Sequence, residues 1–299
     1  MSLRDSDVNL YDYERLKRDF GAFVEAGESA PSAPATAPGF WQLGIPGRAE
    51  RELIGDGYQR ILRQTARIVA YQWCQNLDRS ALKGFLFHGG VGIGKTTMAK
   101  RLAYEMCRVL GDDGSRATRD NEVVLLVVDG ADIARGRYGE TEERLRELFD
   151  YARDGEAGYP SHKHEGDPKR RTVLLFDDVE SLFLRRSSGG AKEWHFSQNS
   201  VFFHSVDELD TAHTVVVLTT NRFDLVDEAI VDRFMAYEFG TPALDVLEAV
   251  ARAKAQQQHL TDQELAPVLQ VIRTEGRVQT IREVERLVMA AFVDKVVAG

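Results

Sequence analysis

His88-Gly-Gly-Val-Gly-Ile-Gly-Lys-Thr-Thr97 decides the fold. Gly89, Gly94, Lys95 and Thr96 stand at the fixed positions of the pattern G-x-x-x-x-G-K-[ST], with Gly90, Val91, Gly92 and Ile93 between them and Thr97 behind. An apolar run, Gly84-Phe-Leu-Phe87, precedes the loop, and a helical pattern from about Lys95 to Leu110 follows it. In that order the glycines let backbone N–H groups curl inward onto phosphate oxygens, and the positive end of the helix lies behind them. Lys95 then neutralises the β- and γ-phosphates. The Thr96 hydroxyl supplies a hard oxygen to Mg²⁺. ATP and Mg²⁺ are the expected cofactors.

Outward from the loop, Val123-Val-Leu-Leu-Val-Val128, Val173-Leu-Leu-Phe176 and Val215-Val-Val-Leu218 are further short apolar runs, and Tyr237-Glu-Phe239 is a fifth strand candidate. Such runs fit strands buried on both faces of a parallel sheet. Between them, Glu140–Arg153 places Leu145, Leu148, Phe149 and Ala152 on one helical side, and Arg51–Leu77 carries a longer helical pattern. The strands stop at Pro242 and helical patterns run on to Gly299. The expected fold class is therefore α/β: a P-loop three-layer parallel sheet over residues 48–241, then a small all-helical lid domain over 242–299. Residues 1–47 hold a short amphipathic pattern (Tyr11, Tyr13, Leu16, Phe20, Phe23, Val24) and a linker rich in proline and alanine, Glu28–Pro38. The pattern fits a helix that docks on a partner and fits a disordered tail equally.

The charge balance of 38 basic against 47 acidic residues, −9, argues against a nucleic-acid or anionic-membrane coat. No run approaches the roughly 18 apolar residues of a membrane helix, and Met1–Leu10 has no apolar signal core. A cytosolic protein is expected. Cys74 and Cys107, both in apolar helical stretches, read as buried thiols in a reducing compartment.

Three further phrases carry chemistry. Val173-Leu-Leu-Phe-Asp-Asp178 ends a strand in two carboxylates; Asp177 fits the Mg²⁺ contact and Asp178 the general base that polarises water. Asp178 is one methylene shorter than a glutamate, which puts its reach in question. Asn221, at the end of Leu218-Thr-Thr-Asn221, can hold the attacking water. Arg233, in Asp227-Glu-Ala-Ile-Val-Asp-Arg-Phe234, reads either as an arginine finger across a subunit boundary or as a surface arginine paired with Asp232 or Asp227.

This order of motifs resembles the AAA+ ATPases, from roughly Glu52 to Phe292. The resemblance implies a hexameric homo-oligomer, ATP sites at subunit interfaces and a central pore that pulls on a polypeptide. Gly136-Arg-Tyr-Gly-Glu-Thr141 is similar to the first pore loop of protein-remodelling members, with Tyr138 as the gripping aromatic and Arg137 where the aromatic usually stands. An ordinary loop capping the next helix through Thr141 also fits. Ser187–Lys192 corresponds to a second pore loop or to a flexible surface loop. Asp178-Val-Glu-Ser-Leu182, Ala229–Phe234 and Gly240-Thr-Pro242 resemble the pachytene-checkpoint ATPases, whose bacterial relatives accompany HORMA proteins and nucleotidyltransferases in anti-phage (CBASS) operons. By the same resemblance a lid arginine, Arg282 first and Arg277 second, senses nucleotide. The competing expectations are a nucleic-acid-handling ATPase of loader or helicase type and a nucleotide-gated scaffold with weak turnover.

Overall fold

The computed structural model describes residues 41–44, 53–79, 81–111, 123–129, 140–154, 171–182, 193–274 and 276–298. Its elements are β1 (Trp41–Gly44), α1 (Asp56–Cys74), β2 (Gly84–Gly89), α2 (Lys95–Gly111), β3 (Val123–Asp129), α3 (Glu140–Asp154), β4 (Arg171–Asp177), α4 (Glu193–Asp207), β5 (Thr214–Thr220), α5 (Glu228–Arg233), β6 (Met235–Phe239), α6 (Leu244–Gln257), α7 (Asp262–Arg273) and α8 (Ile281–Ala298). The six strands form one sheet in the order β1-β3-β4-β5-β2-β6. Five run parallel; the apolar runs of β2 to β5 imply this, whereas β6 is an edge strand, exposed over most of its length. The sixth, β1, pairs antiparallel with β3 at the edge. It falls after the Glu28–Pro38 linker, inside the 1–47 segment in which no strand is expected from sequence, because four residues carry too little pattern to announce one. Helix α4 likewise escaped the sequence reading: Glu193-Trp-His-Phe-Ser-Gln-Asn mixes polar and aromatic residues without a clean stripe.

The apolar strands feed two cores because successive side chains alternate faces. Leu86, Leu126, Leu174, Phe176, Val216 and Leu218 pack on one side against α3 and α4, through Leu145, Leu148, Phe202 and Val206. Phe85, Phe87, Leu125, Leu175, Val215 and Val217 pack on the other against α1 and α2, through Val69, Trp73, Met98 and Leu102. A third core joins α6, α7 and α8 around Leu247, Ala251, Leu265, Ile272 and Val284. Both α7 and α8 start with a reciprocal cap, Thr261 with Glu264 and Thr280 with Glu283. Among the described residues no helix is long and apolar enough to cross a membrane.

Two expectations change. Cys74 ends α1 on the exposed side and Cys107 is half-buried, so neither is a core thiol; the α1 face toward the sheet is taken by Val69 and Trp73. Thr141 lies within α3 and is buried, so it does not cap that helix. The N-terminal helix, Arg137, Tyr138 and Ser187–Lys192 lie outside the described residues.

Candidate functional site

The carboxyl ends of β2, β5 and β4 lie side by side, with His88 in register with Thr220. Loops leaving those ends lie at the carboxyl edge of the sheet, the usual ligand position in an open α/β fold. The phosphate loop leaves β2. Gly89, Gly92 and Gly94 take φ values of 139°, 74° and 97°, which side chains with a Cβ rarely adopt. A Cβ at Gly89 would strike the Phe239 carbonyl, and one at Gly92 would come within 2.8 Å of Arg282 Cβ. Glycine at these two positions is a packing requirement as well as a conformational one.

Lys95 opens α2 and is only 5% exposed. Its ammonium donates to the carbonyls of Gly89 (3.0 Å) and Gly90 (2.6 Å) and to Asn221 Oδ1 (2.7 Å). Burial lowers its pKa, and Asp178, Glu180 and Asp177 oppose that by attracting the charge. Thr96 donates its hydroxyl to Asp177 Oδ1 at 2.8 Å. This neighbouring hydroxyl and carboxylate is the hard-oxygen set that Mg²⁺ takes from a protein when phosphates supply the rest.

Asp177 is fixed from behind by the hydroxyl of the fully buried Thr219, which also accepts from the Asp178 N–H at 3.1 Å. Asp178 stands in the left-handed region, φ 53° and ψ 55°. A non-glycine residue held there costs about 1–3 kcal/mol, a type of strain that clusters at functional sites. The turn aims its carboxylate at Asn221, whose Nδ2 donates to Asp178 Oδ1 at 2.8 Å. Asn221 therefore bridges Lys95 and Asp178. Its amide orientation is chemically determined, since an ammonium only donates and an ionised carboxylate only accepts.

The lid touches this loop directly. The Arg282 N–H is one of the first donors of α8, with no partner inside the helix, and it donates to the Gly92 carbonyl at 3.1 Å. Its guanidinium is also near enough to depress the Lys95 pKa. Arg277 is exposed on the turn before α8. On the other side, Tyr58 donates its hydroxyl to the Ile93 carbonyl at 2.8 Å. A Cβ at Gly55 would meet Val246 of the lid at 2.9 Å, and one at Gly94 would lie 3.6 Å from Ile281 Cδ1. Leu53–Tyr58, the loop and the lid thus meet at one place, a convergence that no spacing in the sequence announces.

Arg233 is elsewhere. It ends α5, and its guanidinium makes two bonds to the Asp207 carboxylate, at 2.8 and 2.9 Å, and lies over the Phe203 ring. The partner is thus Asp207, at the end of α4, rather than Asp232 or Asp227. Lys83, just before β2, donates to the Asp207 carbonyl at 3.1 Å. The Asp207–Arg233 pair therefore sits at the amino end of β2. Gly89 is six residues further along the strand, about 20 Å away at ~3.3 Å per residue. That distance is far beyond one arginine side chain, so Arg233 does not reach the phosphate loop of its own chain.

Comparison with known proteins agrees with this construction. The profile of the "ATPase family associated with various cellular activities (AAA)" matches residues 85–240. The chain is 31% identical over 151 residues to a proteasome-associated ATPase of Jonesia denitrificans, covering 50% of this chain and 26% of that protein. It is 29% identical over 178 residues to the vesicular-fusion protein SEC18 of Candida albicans, covering 58% and 20%. It is 31% identical over 152 residues to an "AAA ATPase forming ring-shaped complexes" of Micrococcus luteus, covering 50% and 23%. The chain thus spans about a quarter or less of the length of these curated relatives. Among solved structures, a chain of the E. coli MS115-1 HORMA:CdnC:Trip13 complex shares the fold, with TM-score 0.58 and 16% identity over 82% of this chain and 85% of that one. The loop, the carboxylate strand and the matched region together establish that the chain belongs to the AAA ATPase family.

Proposed function

We propose that the chain is an ATP-driven protein remodeller that works as a ring, hexameric by the family resemblance. The observation that carries this reading is the separation of Arg233 from its own phosphate loop, about 20 Å along β2. An arginine needed for turnover has to come from a neighbouring copy, and a closed ring supplies one to every site. The ring-shaped complexes named for the Micrococcus luteus relative support the same arrangement.

Within one site we assign ATP phosphates to Gly89–Thr97 and Lys95, and Mg²⁺ to Thr96 and Asp177. Held by those two residues, the ion would supply charge neutralisation at the phosphates. Asp178 takes the water proton, Asn221 orients that water, and Arg282 couples the lid to the nucleotide. Arg233 of the next copy meets the charge that spreads over the γ-phosphoryl group in the transition state. The mechanical boundary falls at 241/242, where the sheet gives way to α6–α8.

The narrower reading is that the substrate is a HORMA-domain protein, and that its dismantling restrains anti-phage signalling with an associated nucleotidyltransferase. It is supported by the phrases Asp178–Leu182 and Ala229–Phe234 and by the shared fold with the chain from the HORMA:CdnC:Trip13 complex. The test is conversion of a HORMA protein from its closed to its open form, with ATP turnover measured in parallel. Tyr138→Ala is expected to spare turnover and stop conversion; normal conversion by Tyr138→Ala sinks the threading mechanism. Turnover that rises with DNA, with no effect of a HORMA protein, would move the chain to the nucleic-acid-handling class.

A further inference from the structure

Three carboxylates act on Lys95, and one of them, Glu180, has no role in the assignment above. Glu180 lies on the short 3₁₀ turn Val179–Ser181 that follows β4, and it is half-buried. Its two oxygens are divided. Oε2 accepts the Thr220 hydroxyl at 2.9 Å, while Oε1 faces both the backbone N–H and the side-chain Nδ2 of Asn221 at 3.4 Å. Thr220 is fully buried, and its Oγ1 also accepts from the Arg222 N–H at 3.0 Å. The carboxylate of Glu180 therefore ties down the residue before Asn221 and faces Asn221 itself, while Thr220 fixes the residue after it.

Asn221 needs such a hold. It stands where β5 ends, and a strand end has no ladder bonds to fix the next residue. Its amide meets Lys95 on one side and Asp178 on the other, at 2.7 and 2.8 Å. A small change in the φ and ψ torsions at the Thr220–Asn221 corner would disturb both contacts at once. We propose that Glu180 is a positioning residue for ATP hydrolysis: it holds the Thr220–Asn221 corner and thereby sets where Asn221 stands between Lys95 and Asp178. The inference rests on the reading of Asn221 and Asp178 as hydrolytic residues.

A carboxylate that only stabilised the turn would, once removed, lower melting temperature, nucleotide affinity and turnover together. A positioning carboxylate acts on turnover selectively, since misplacing a reacting group by about 1 Å costs on the order of 100-fold in rate. The experiment uses the full chain with Mg²⁺ and ATP, reading phosphate release, and a fluorescent ATP analogue, reading affinity. Variants are Glu180→Gln and Thr220→Val, alone and in an Asn221→Ala background, with Asp178→Asn as reference. Glu180→Gln keeps the shape and an acceptor oxygen but loses the charge. It is expected to lower kcat by about 10- to 100-fold with KM and affinity within about twofold. Thr220→Val is expected to lower kcat in the same direction by a smaller factor. In the Asn221→Ala background Glu180→Gln is expected to add less than about twofold, because the two act as a unit.

Three results overturn the proposal. Glu180→Gln could turn over at the wild-type rate while Asn221→Ala does not. It could lose affinity and kcat equally. Its effect could multiply fully with that of Asn221→Ala, which would mean that Glu180 acts on its own. If instead Asn221→Ala and Asp178→Asn both keep wild-type turnover, the underlying assignment fails as well, and the single variants report that independently of Glu180.

Discussion

Replacing Gly92 by alanine tests how tightly the lid is seated on the phosphate loop. Gly92 has φ 74°, and a Cβ there would lie 2.8 Å from Arg282 Cβ at the start of α8. An alanine in the left-handed region costs about 1–2 kcal/mol. Relief of the collision must push α8 away and so break the bond from Arg282 N–H to the Gly92 carbonyl, a further loss of about 0.5–1.5 kcal/mol. Together these come to about 1.5–3.5 kcal/mol, or a fall in melting temperature of roughly 3–14 °C for a chain of this size. Gly90 is the internal control, because a Cβ there would have nothing within 4 Å and its φ is not positive. Thermal unfolding without nucleotide, followed by circular dichroism, measures both. Gly90→Ala is expected to melt within about 2 °C of wild type. A Gly92→Ala protein that melts with wild type, or a Gly90→Ala protein destabilised as much, would refute the argument that loop and lid are locked through this contact.

Lys95→Ala removes the buried cation of the loop and is expected to weaken a fluorescent ATP analogue by at least about 100-fold; binding within tenfold of wild type would remove Lys95 from the site. Arg282→Ala is expected to weaken the same analogue by several-fold, while Arg277→Ala, on the exposed turn, leaves it unchanged; the reverse ranking would transfer the lid role to Arg277. Arg233→Ala is expected to bind ATP normally and turn it over poorly. Mixing it with Lys95→Ala subunits should restore part of the activity, since each supplies what the other lacks at shared interfaces, and no restoration in a mixed ring would sink the trans assignment. The Arg233 hydrogen bonds hold the Asp207 carboxyl below its ordinary range. Because the folded pKa is the depressed one, this contribution to stability is present above the ordinary aspartate range, about pH 4, and is lost as pH falls through the folded value. Arg233→Ala should therefore return the Asp207 carboxyl, followed by carbon-13 NMR, to the ordinary range; an unmoved titration would mean that another group holds it.

Much of the site was legible because its chemistry is written in contiguous residues. A phosphate loop needs its glycines and lysine at fixed spacing, since the backbone itself wraps the ligand. Asp177, Asp178 and Asn221 could be named because each directly follows an apolar strand, and a parallel sheet brings such strand ends to one edge. The residues that hold them were not legible. Thr219 and Thr220 look like strand filler, yet both are fully buried and bind Asp177 and Glu180. Glu180 looks like an acidic turn. Their roles follow from register across β4 and β5, which pairs Phe176 with Leu218 and so brings Asp178 and Glu180 beside Thr219–Asn221.

The sequence by itself determined the fold class and the nucleotide loop, because apolar run lengths and glycine positions are local properties of the chain. It left Arg233 with two readings and two wrong partners. Only the tertiary structure decided that Arg233 binds Asp207 at the end of the sheet away from Lys95, because sequence separation says nothing about which end of a strand a residue occupies. In the same way, only the tertiary structure decided that α8 packs on the loop, with the backbone N–H of Arg282, which the sequence already ranked ahead of Arg277, on the Gly92 carbonyl.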